Sequence, residues 1–323
     1  MAEQGSRTEI TAAGIARLAG VGRAAVSNWR RRHADFPKPV GGTDTSPAFD
    51  LAEVERWLRG QGKLGRVPLS ERVWQQVEGD PEGAAAALLA VGTALLGGGD
   101  ADPERRELIT GARELAKELG GRQAFEFLMG RHLEAGPRQY TLTPAPLAEL
   151  MAELAGPAEL VLDPACGFGA LLGAAGPAAT VAGQELDPDL AALTAVRLAL
   201  RADGPVDVRA GDSLRADAHP ELRADAVLCH PPFNERSWGN EELAYDTRWE
   251  YGLPPRTESE LAWVQHALAH LKENGCAVLL MPPAAASRRS GRRIRADLLR
   301  RGALRAVVAL PARSAPPTRI PLP

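Results

Sequence analysis

The chain holds 323 residues, 45% hydrophobic and 24% charged, which allows two or three domains with a substantial core. Aromatic residues contribute only 5%, so that core is expected to be aliphatic and alanine-rich. The net charge of −3 names no partner by itself but is unevenly spread: residues 1–66 carry 11 Lys/Arg against 7 Asp/Glu, and residues 287–305 carry eight arginines against Asp297 alone. Two basic islands suit contact with a polyanion at two places, although solvated helix faces would look the same. No stretch approaches the roughly 18 apolar residues of a membrane span, and MAEQGSRTEI has no apolar signal core. Cys166, Cys229 and Cys276 form no CxxC pair, which argues against a disulfide scaffold or a cysteine zinc site. The expected setting is cytoplasmic and nucleoid-associated.

In chain order, Thr11 is placed to cap a helix over AAGIARLA, Gly20-Val21 make a turn, and a second helix runs from Arg23 to Arg32. Ile15, Leu18, Val21, Val26 and Trp29 fall where two crossed helices share a core, the spacing of a helix-turn-helix. Outward positions of the second helix are Arg23, Ser27, Asn28, Arg30 and Arg31, side chains that read base edges or hold phosphates. FPKPVGGTDTSPAFD then looks like a wing hairpin, and Asp50 caps a third helix with Leu51, Val54, Trp57 and Leu58 facing in. Residues 1–60 thus resemble the winged helix-turn-helix domains of excisionase-like and resolvase-like regulators. A small helical docking domain would show the same pattern.

Residues 61–69 read as a linker, and 70–136 as a helical domain opened by Ser70 as N-cap. From 137 to 323 the pattern changes. AELVLDP, ATVAGQE, VDVRAGD, ADAVLCHPP, GCAVLLMPP and ALRAVVALP alternate with helix-like PDLAALTAVRLALRA and ESELAWVQHALAHL. The fold class predicted is α/β, a Rossmann-like doubly wound parallel sheet preceded by a helical region and a small winged helix-turn-helix domain.

Within VLDPACGFGALL an apolar strand runs into Asp163, and Gly167 and Gly169 let backbone approach a ligand at the strand's carboxyl end. Alone this is weak. Glu185, about 20 residues on, ends the next strand where an acid receives ribose hydroxyls, and Asp212 ends a third where a carboxylate receives an adenine amine. Each acid by itself is as readily a turn or cap residue; three in series describe a site for an adenosine-containing cofactor. Leu172 stands where a diphosphate-gripping GxGxxG needs its last glycine, which favours S-adenosylmethionine over a dinucleotide.

DPACGFG, GQE, GDS and AVLCHPPF, in that order, resemble the motifs of N6-adenine DNA methyltransferases, most of all the methylase subunit of type I restriction-modification systems. YTLTP (140–144) is similar to the family's Thr-Pro entry segment, and the likeness covers about residues 120–315. It implies that Thr143, Asp163, Ala165, Gly167 and Gly169 hold the methionine end of the donor, Glu185 the ribose and Asp212 the adenine. It also implies that His230, Pro231, Pro232 and Phe233 clamp a flipped target adenine, with double-stranded DNA as substrate and a specificity subunit or a second copy as partner.

Where the family has Asn or Asp, this chain has His230, whose neutral ring offers one acceptor lone pair and whose protonated ring offers none. The alternative is a non-catalytic DNA-binding regulator with a degenerate or donor-sensing methyltransferase domain. Methylation of another planar amine through the same clamp is a third reading. Only IPLP remains for the antiparallel strand that usually finishes this fold, so the last strand is expected to be incomplete. In RRSGRRIRADLLRR, Arg288, Arg289, Arg292 and Arg293 are expected on the DNA face, where phosphate contacts would make binding salt dependent. His33, His132, His219, His266 and His270 show no partnered ligand pattern, and no metal is predicted.

Overall fold

The computed structural model describes residues 9–43, 46–63, 68–98, 103–135, 142–176, 179–311 and 314. The chain divides into two units, Met1–Gln75 and Gln76–Pro323.

In the first unit, β1 (Glu9–Thr11) leads into α1 (Ala12–Leu18) and α2 (Arg23–Arg32), followed by β2 (Pro39–Thr43), β3 (Ser46–Asp50) and α3 (Leu51–Gly60). The strands form an antiparallel sheet in the order β1-β3-β2. Thr11 Oγ1 accepts the Gly14 N–H at 3.3 Å and Asp50 Oδ1 accepts the Glu53 N–H at 3.0 Å, so each side chain satisfies an otherwise unpaired donor at a helix start. Ile15, Leu18, Val26, Val54, Trp57 and Leu58 are buried together with Phe36 and Phe49. Val21, expected inside, is 36% exposed, because the turn at Gly20 (φ +66) carries it outward. Phe36 fills the interior instead, its ring 4.8 Å from that of Trp57 and 5.7 Å from that of Phe49.

The helix α4 (Leu69–Glu78) crosses the division between the units. Ser70 lies inside its first turn. The helix opens earlier because the Pro68 carbonyl accepts from Glu71 N at 3.0 Å and Arg72 N at 3.1 Å.

The second unit continues with α5 (Ala84–Leu95), α6 (Arg106–Leu119), α7 (Gly121–Ala135) and α8 (Ala145–Ala155). Then come β4 (Leu160–Asp163), α9 (Ala170–Ala174), β5 (Thr180–Glu185), α10 (Pro188–Ala199), β6 (Val206–Ala210), β7 (Ala224–Cys229), α11 (Ser259–Ala269), β8 (Leu271–Leu279) and α12 (Arg292–Arg300). Five parallel strands lie in the order β6-β5-β4-β7-β8. Side chains alternate between the two faces. Val161, Val181, Ala226 and Leu228 pack with Leu147 and Met151 of α8 and Leu171 and Leu172 of α9, while Leu162, Ala182 and Val227 pack with Ala267 of α11. Burial on both faces is what makes these strands read as continuous apolar runs. Arg197 of α10 donates to Glu126 of α7 at 2.9 Å and to the Phe168 carbonyl at 2.5 Å, fastening the helical region to the loop after β4.

ALRAVVALP does not behave as the sixth strand. Among the described residues, 303–311 join no sheet ladder. Leu304 packs with Ile294 and Leu298 and Leu310 against the β-sheet core, leaving Val307 and Val308 between them 74% and 59% exposed. Apolar composition alone does not make a strand where no neighbouring ladder takes its N–H and C=O groups. No helix among the described residues is long and apolar enough to cross a membrane.

Candidate active site

Strand order reverses direction between β4 and β7, and in parallel sheets the crevice beyond the carboxyl ends at such a point binds ligands. The loops there are tied to one another. Asp163, 1% exposed, accepts the Ala165 N–H at 3.0 Å. Glu185 accepts from Gly167 N and Asp187 N, each at 3.0 Å, which draws the glycine loop after β4 onto the end of β5. Ser213 Oγ donates to the Pro164 carbonyl at 2.5 Å, linking the loop after β6 to that after β4. Asp212 accepts from Leu214 N at 3.1 Å and Arg215 N at 3.2 Å. The three strand-end acids therefore border one crevice.

Gly167 has φ +49 with open space where a side chain would project, so its backbone faces the crevice bare. At Gly169 (φ +72) a Cβ would meet Thr194 at 2.9 Å and Leu198 at 3.2 Å, and α10 packs too close for any other residue. Burial pushes the Asp163 carboxyl up to about 8; the Ala165 N–H opposes that rise and the charge of Glu185 adds to it.

His230 follows β7 directly, and its Nδ1 lies 2.9 Å from Thr143 Oγ1. Burial lowers its pKa from the ordinary histidine value. The Phe233 ring centre is 5.5 Å from the imidazole and tilted by 46°. Pro231 is buried and Pro232 exposed. Thr143 thus touches His230, a contact the sequence does not announce; Tyr140 and Thr141 of the same motif lie outside the described residues.

Several side chains that sequence reasoning missed shape this end of the sheet. Arg215 donates to the Ser237 carbonyl at 2.7 Å and lies 3.3 Å from Glu242, joining the Asp212 loop to the segment after Phe233. Arg248 grips Asp246 through two bonds of 2.9 and 2.7 Å and donates to the carbonyls of Ser213 at 3.3 Å and Leu214 at 2.5 Å. It also donates to His266 Nδ1 at 2.9 Å. Nothing in local spacing marks these arginines, whose partners are carbonyls and loops far away in the chain.

His266 and His270, for which local spacing offers no partner, lie beside Asp217, with His270 Nε2 2.9 Å from its Oδ2. Burial pushes Asp217 up, but the His270 ring and the His219 N–H outweigh it and hold the carboxyl low. Burial, then repulsion from His270 and Arg248, keeps His266 well below the ordinary range. Arg248 donates to His266 Nδ1, and His270 Nδ1 lies 2.9 Å from the Leu222 carbonyl, so each ring is also tied to a group outside the cluster.

The two sets of arginines expected at DNA divide differently. On α2, Arg23, Ser27, Arg30 and Arg31 are exposed, while Asn28 is half-buried and accepts from Arg31 at 2.5 Å. Arg289, Arg292 and Arg293 are exposed. Arg288 is turned inward: it donates to Glu260 at 3.1 Å and to the Thr257 carbonyl at 3.1 Å, because a carboxylate 1% exposed requires a counter-charge.

The sheet order is that of the class I methyltransferase fold. Residues 119–322 match the N-6 DNA Methylase family, more than half of the chain, and the chain belongs to that family. It is 31% identical over 223 residues to the type I restriction enzyme HindI methylase subunit of Haemophilus influenzae, covering 64% of this chain and 50% of that protein. The MjaIX methylase subunit of Methanocaldococcus jannaschii is 29% identical over 203 residues, covering 56% of this chain and 36% of that protein. The chain spans half or less of the length of these curated relatives. Two solved structures share the fold. A type I methyltransferase subunit from Streptococcus thermophilus superposes with TM-score 0.51 and 18% identity, covering 90% of this chain and 70% of that one. A class I S-adenosylmethionine-dependent methyltransferase from Listeria monocytogenes gives TM-score 0.52 and 15% identity, covering 72% and 79%.

The cofactor of the family is S-adenosylmethionine, and the residues present fit it. Gly167 leaves room for close backbone approach, and carboxylates stand at the ends of β4, β5 and just past β6.

Proposed function

We propose that this chain transfers a methyl group from S-adenosylmethionine to the N6 amine of adenine in double-stranded DNA, as part of a restriction-modification methylase. The observation that carries this reading is the Thr143–His230 contact. An imidazole that gives its Nδ1–H to the threonine hydroxyl keeps its single lone pair on Nε2. The amine of adenine is a poor nucleophile because its lone pair is delocalised into the ring. Two acceptors that take its hydrogens, His230 Nε2 and the Pro231 carbonyl, return that pair to nitrogen. Phe233 stacks on the flipped base and holds it in line. S-adenosylmethionine supplies an electrophilic methyl on sulfonium. The methyl would pass to the amine nitrogen as its bond to sulfur breaks and the donor leaves as a neutral thioether, and the surplus amine proton would pass to His230 Nε2 and then to water.

Around the clamp, Asp163, Ala165, Gly167 and Gly169 hold the methionine end of the donor, Glu185 the ribose and Asp212 the adenine. The exposed face of α2 reads the duplex, and Arg289, Arg292 and Arg293 neutralise phosphates. A specificity subunit or a second copy completes target reading, in keeping with the names of the relatives, which are subunits.

Two measurements follow directly. Because burial pushes the Asp163 carboxyl up to about 8, setting the donor's α-ammonium beside it should release a proton near pH 7. Calorimetry in buffers of different protonation enthalpy should find that release in the wild type and lose it in Asp163→Asn; equal release by both would remove Asp163 from the site. Transfer should also stay level from neutral pH downward and fall only below the ordinary imidazole range, since His230 must be neutral to accept and burial lowers its pKa. That acid limb should vanish in His230→Asn. Its persistence there would assign it to another group.

The test of the whole reading is a map of N6-methyladenine in the native host with and without the gene. Loss of methylation at one sequence motif is the expected result. An unchanged map, with donor binding intact, would make the protein a donor-binding regulator.

A further inference from the structure

Asn234 immediately follows the clamp and sits at φ +59, in the left-handed region that asparagine tolerates better than other non-glycine residues and that its surroundings here support. Three side chains support it. Glu260, in the first turn of α11, accepts the Asn234 N–H at 3.2 Å, and Ser259 Oγ accepts the Glu235 N–H at 3.1 Å. Arg288 donates to Asn234 Oδ1 through one guanidinium nitrogen and to Glu260 through the other, at 3.1 Å. Behind this pair stands a second, with Arg295 2.8 Å from Glu258, itself fully buried, and also bonded to the Arg288 carbonyl. Gly291 N donates to the same Glu258 at 2.6 Å. The start of the arginine-rich segment is thereby fastened to the helix end that carries the clamp's trailing residues. Of its other arginines, Arg289, Arg292 and Arg293 face solvent.

Resting on the reading of the clamp given above, we infer that Arg288 and Glu260 are positioning residues for methyl transfer: together they hold Asn234 in its left-handed turn and so aim Phe233 and His230. The arginine segment has two jobs divided by direction. Its inward members set the geometry of the base clamp, and its outward members set the affinity for phosphate. The Arg288–Glu260 fork suits the first job because a planar guanidinium with fixed donors orients two partners at once, which a lysine ammonium does not.

The experiment compares full-length wild type with Arg288→Lys, which keeps the charge pair but not the planar fork, and Glu260→Gln, which keeps side-chain volume but removes the carboxylate charge. Amide hydrogen exchange over residues 230–236 should accelerate by about 10- to 100-fold in each variant. Single-turnover methyl transfer should slow by at least about tenfold. Binding of S-adenosylmethionine, and binding of a random-sequence 30-base-pair duplex together with its salt slope, should match wild type. Arg289→Gln should instead lower that slope by about one. Asn234→Gly should rescue Arg288→Lys in part, since glycine adopts φ +59 without support. Unchanged exchange at 230–236, or a salt slope in Arg288→Lys reduced as in Arg289→Gln, would overturn the inference. Were the wild type to transfer no methyl group, the proposed reaction would fall, and the exchange comparison would still decide whether the pair holds the turn.

Discussion

Thr143→Val is expected to lower methyl transfer by about 10²- to 10⁴-fold, the range associated with a positioned proton acceptor. Valine keeps the shape of threonine but removes the hydroxyl 2.9 Å from His230 Nδ1. Freed of it, the imidazole redistributes between tautomers, and in the form that carries hydrogen on Nε2 it presents a donor to an amine that also donates. Thr143→Ser keeps the oxygen and should keep most of the rate. The decisive comparison is a double-mutant cycle with His230→Asn. A side-chain amide has no tautomer to lose, so Thr143→Val should cost far less in that background, and the two effects should fail to add. Nitrogen NMR of ligand-free protein checks the cause directly, because Nδ1–H and Nε2–H imidazoles give distinct ring shifts. A wild-type spectrum dominated by the Nε2–H form would refute the assigned role of Thr143. Full additivity in the cycle would do the same by an independent route.

The second large effect is structural. Arg248→Met should lower folding stability by about 3–5 kcal/mol, the usual consequence of removing one partner from a buried ion pair. The side chain is only 14% exposed and serves Asp246, His266 and two backbone carbonyls, all of which would lose their donor together. Against a typical total of about 5–15 kcal/mol, that is a substantial share. Arg248→Lys should recover little, since one ammonium cannot reproduce the bidentate grip on Asp246 or reach both carbonyls. The carbonyls belong to Ser213 and Leu214, directly after Asp212, so donor affinity should fall along with stability. Urea titration and calorimetry measure the two effects. A midpoint within error of wild type would show that the cluster contributes no stability.

The same network explains why part of the site was legible in sequence and part was not. Asp163, Gly167 and Gly169 are readable because a strand, a tight turn and a helix impose their residue types within a few positions of one another, and Glu185 because it ends the next apolar strand. His230 to Phe233 are readable because a short motif follows an apolar strand. Arg215, Arg248, Glu260 and Arg288 act on partners 22, 35, 26 and 54 positions away, and no periodicity links such pairs. Arg288 was grouped with its exposed neighbours for this reason: charge density along a segment does not say which way each side chain turns. His266 and His270 likewise found Asp217 only once α11 and the loop after β6 came together.

What the sequence determined by itself is the α/β class, the strand-helix alternation through β8, the caps of α1 and α3, and the placing of acids at or just past the ends of β4, β5 and β6. These depend on local steric and hydrogen-bonding rules that act over a turn of chain or one strand. Tertiary structure decided that Val21 faces out, that residues 303–311 join no ladder, that α4 opens before Ser70, and that Thr143 meets His230. Each of those outcomes depends on which surface or backbone group arrives from elsewhere in the chain. Burial of a charge or an apolar face is a property of the assembled neighbours, not of the residue that carries it.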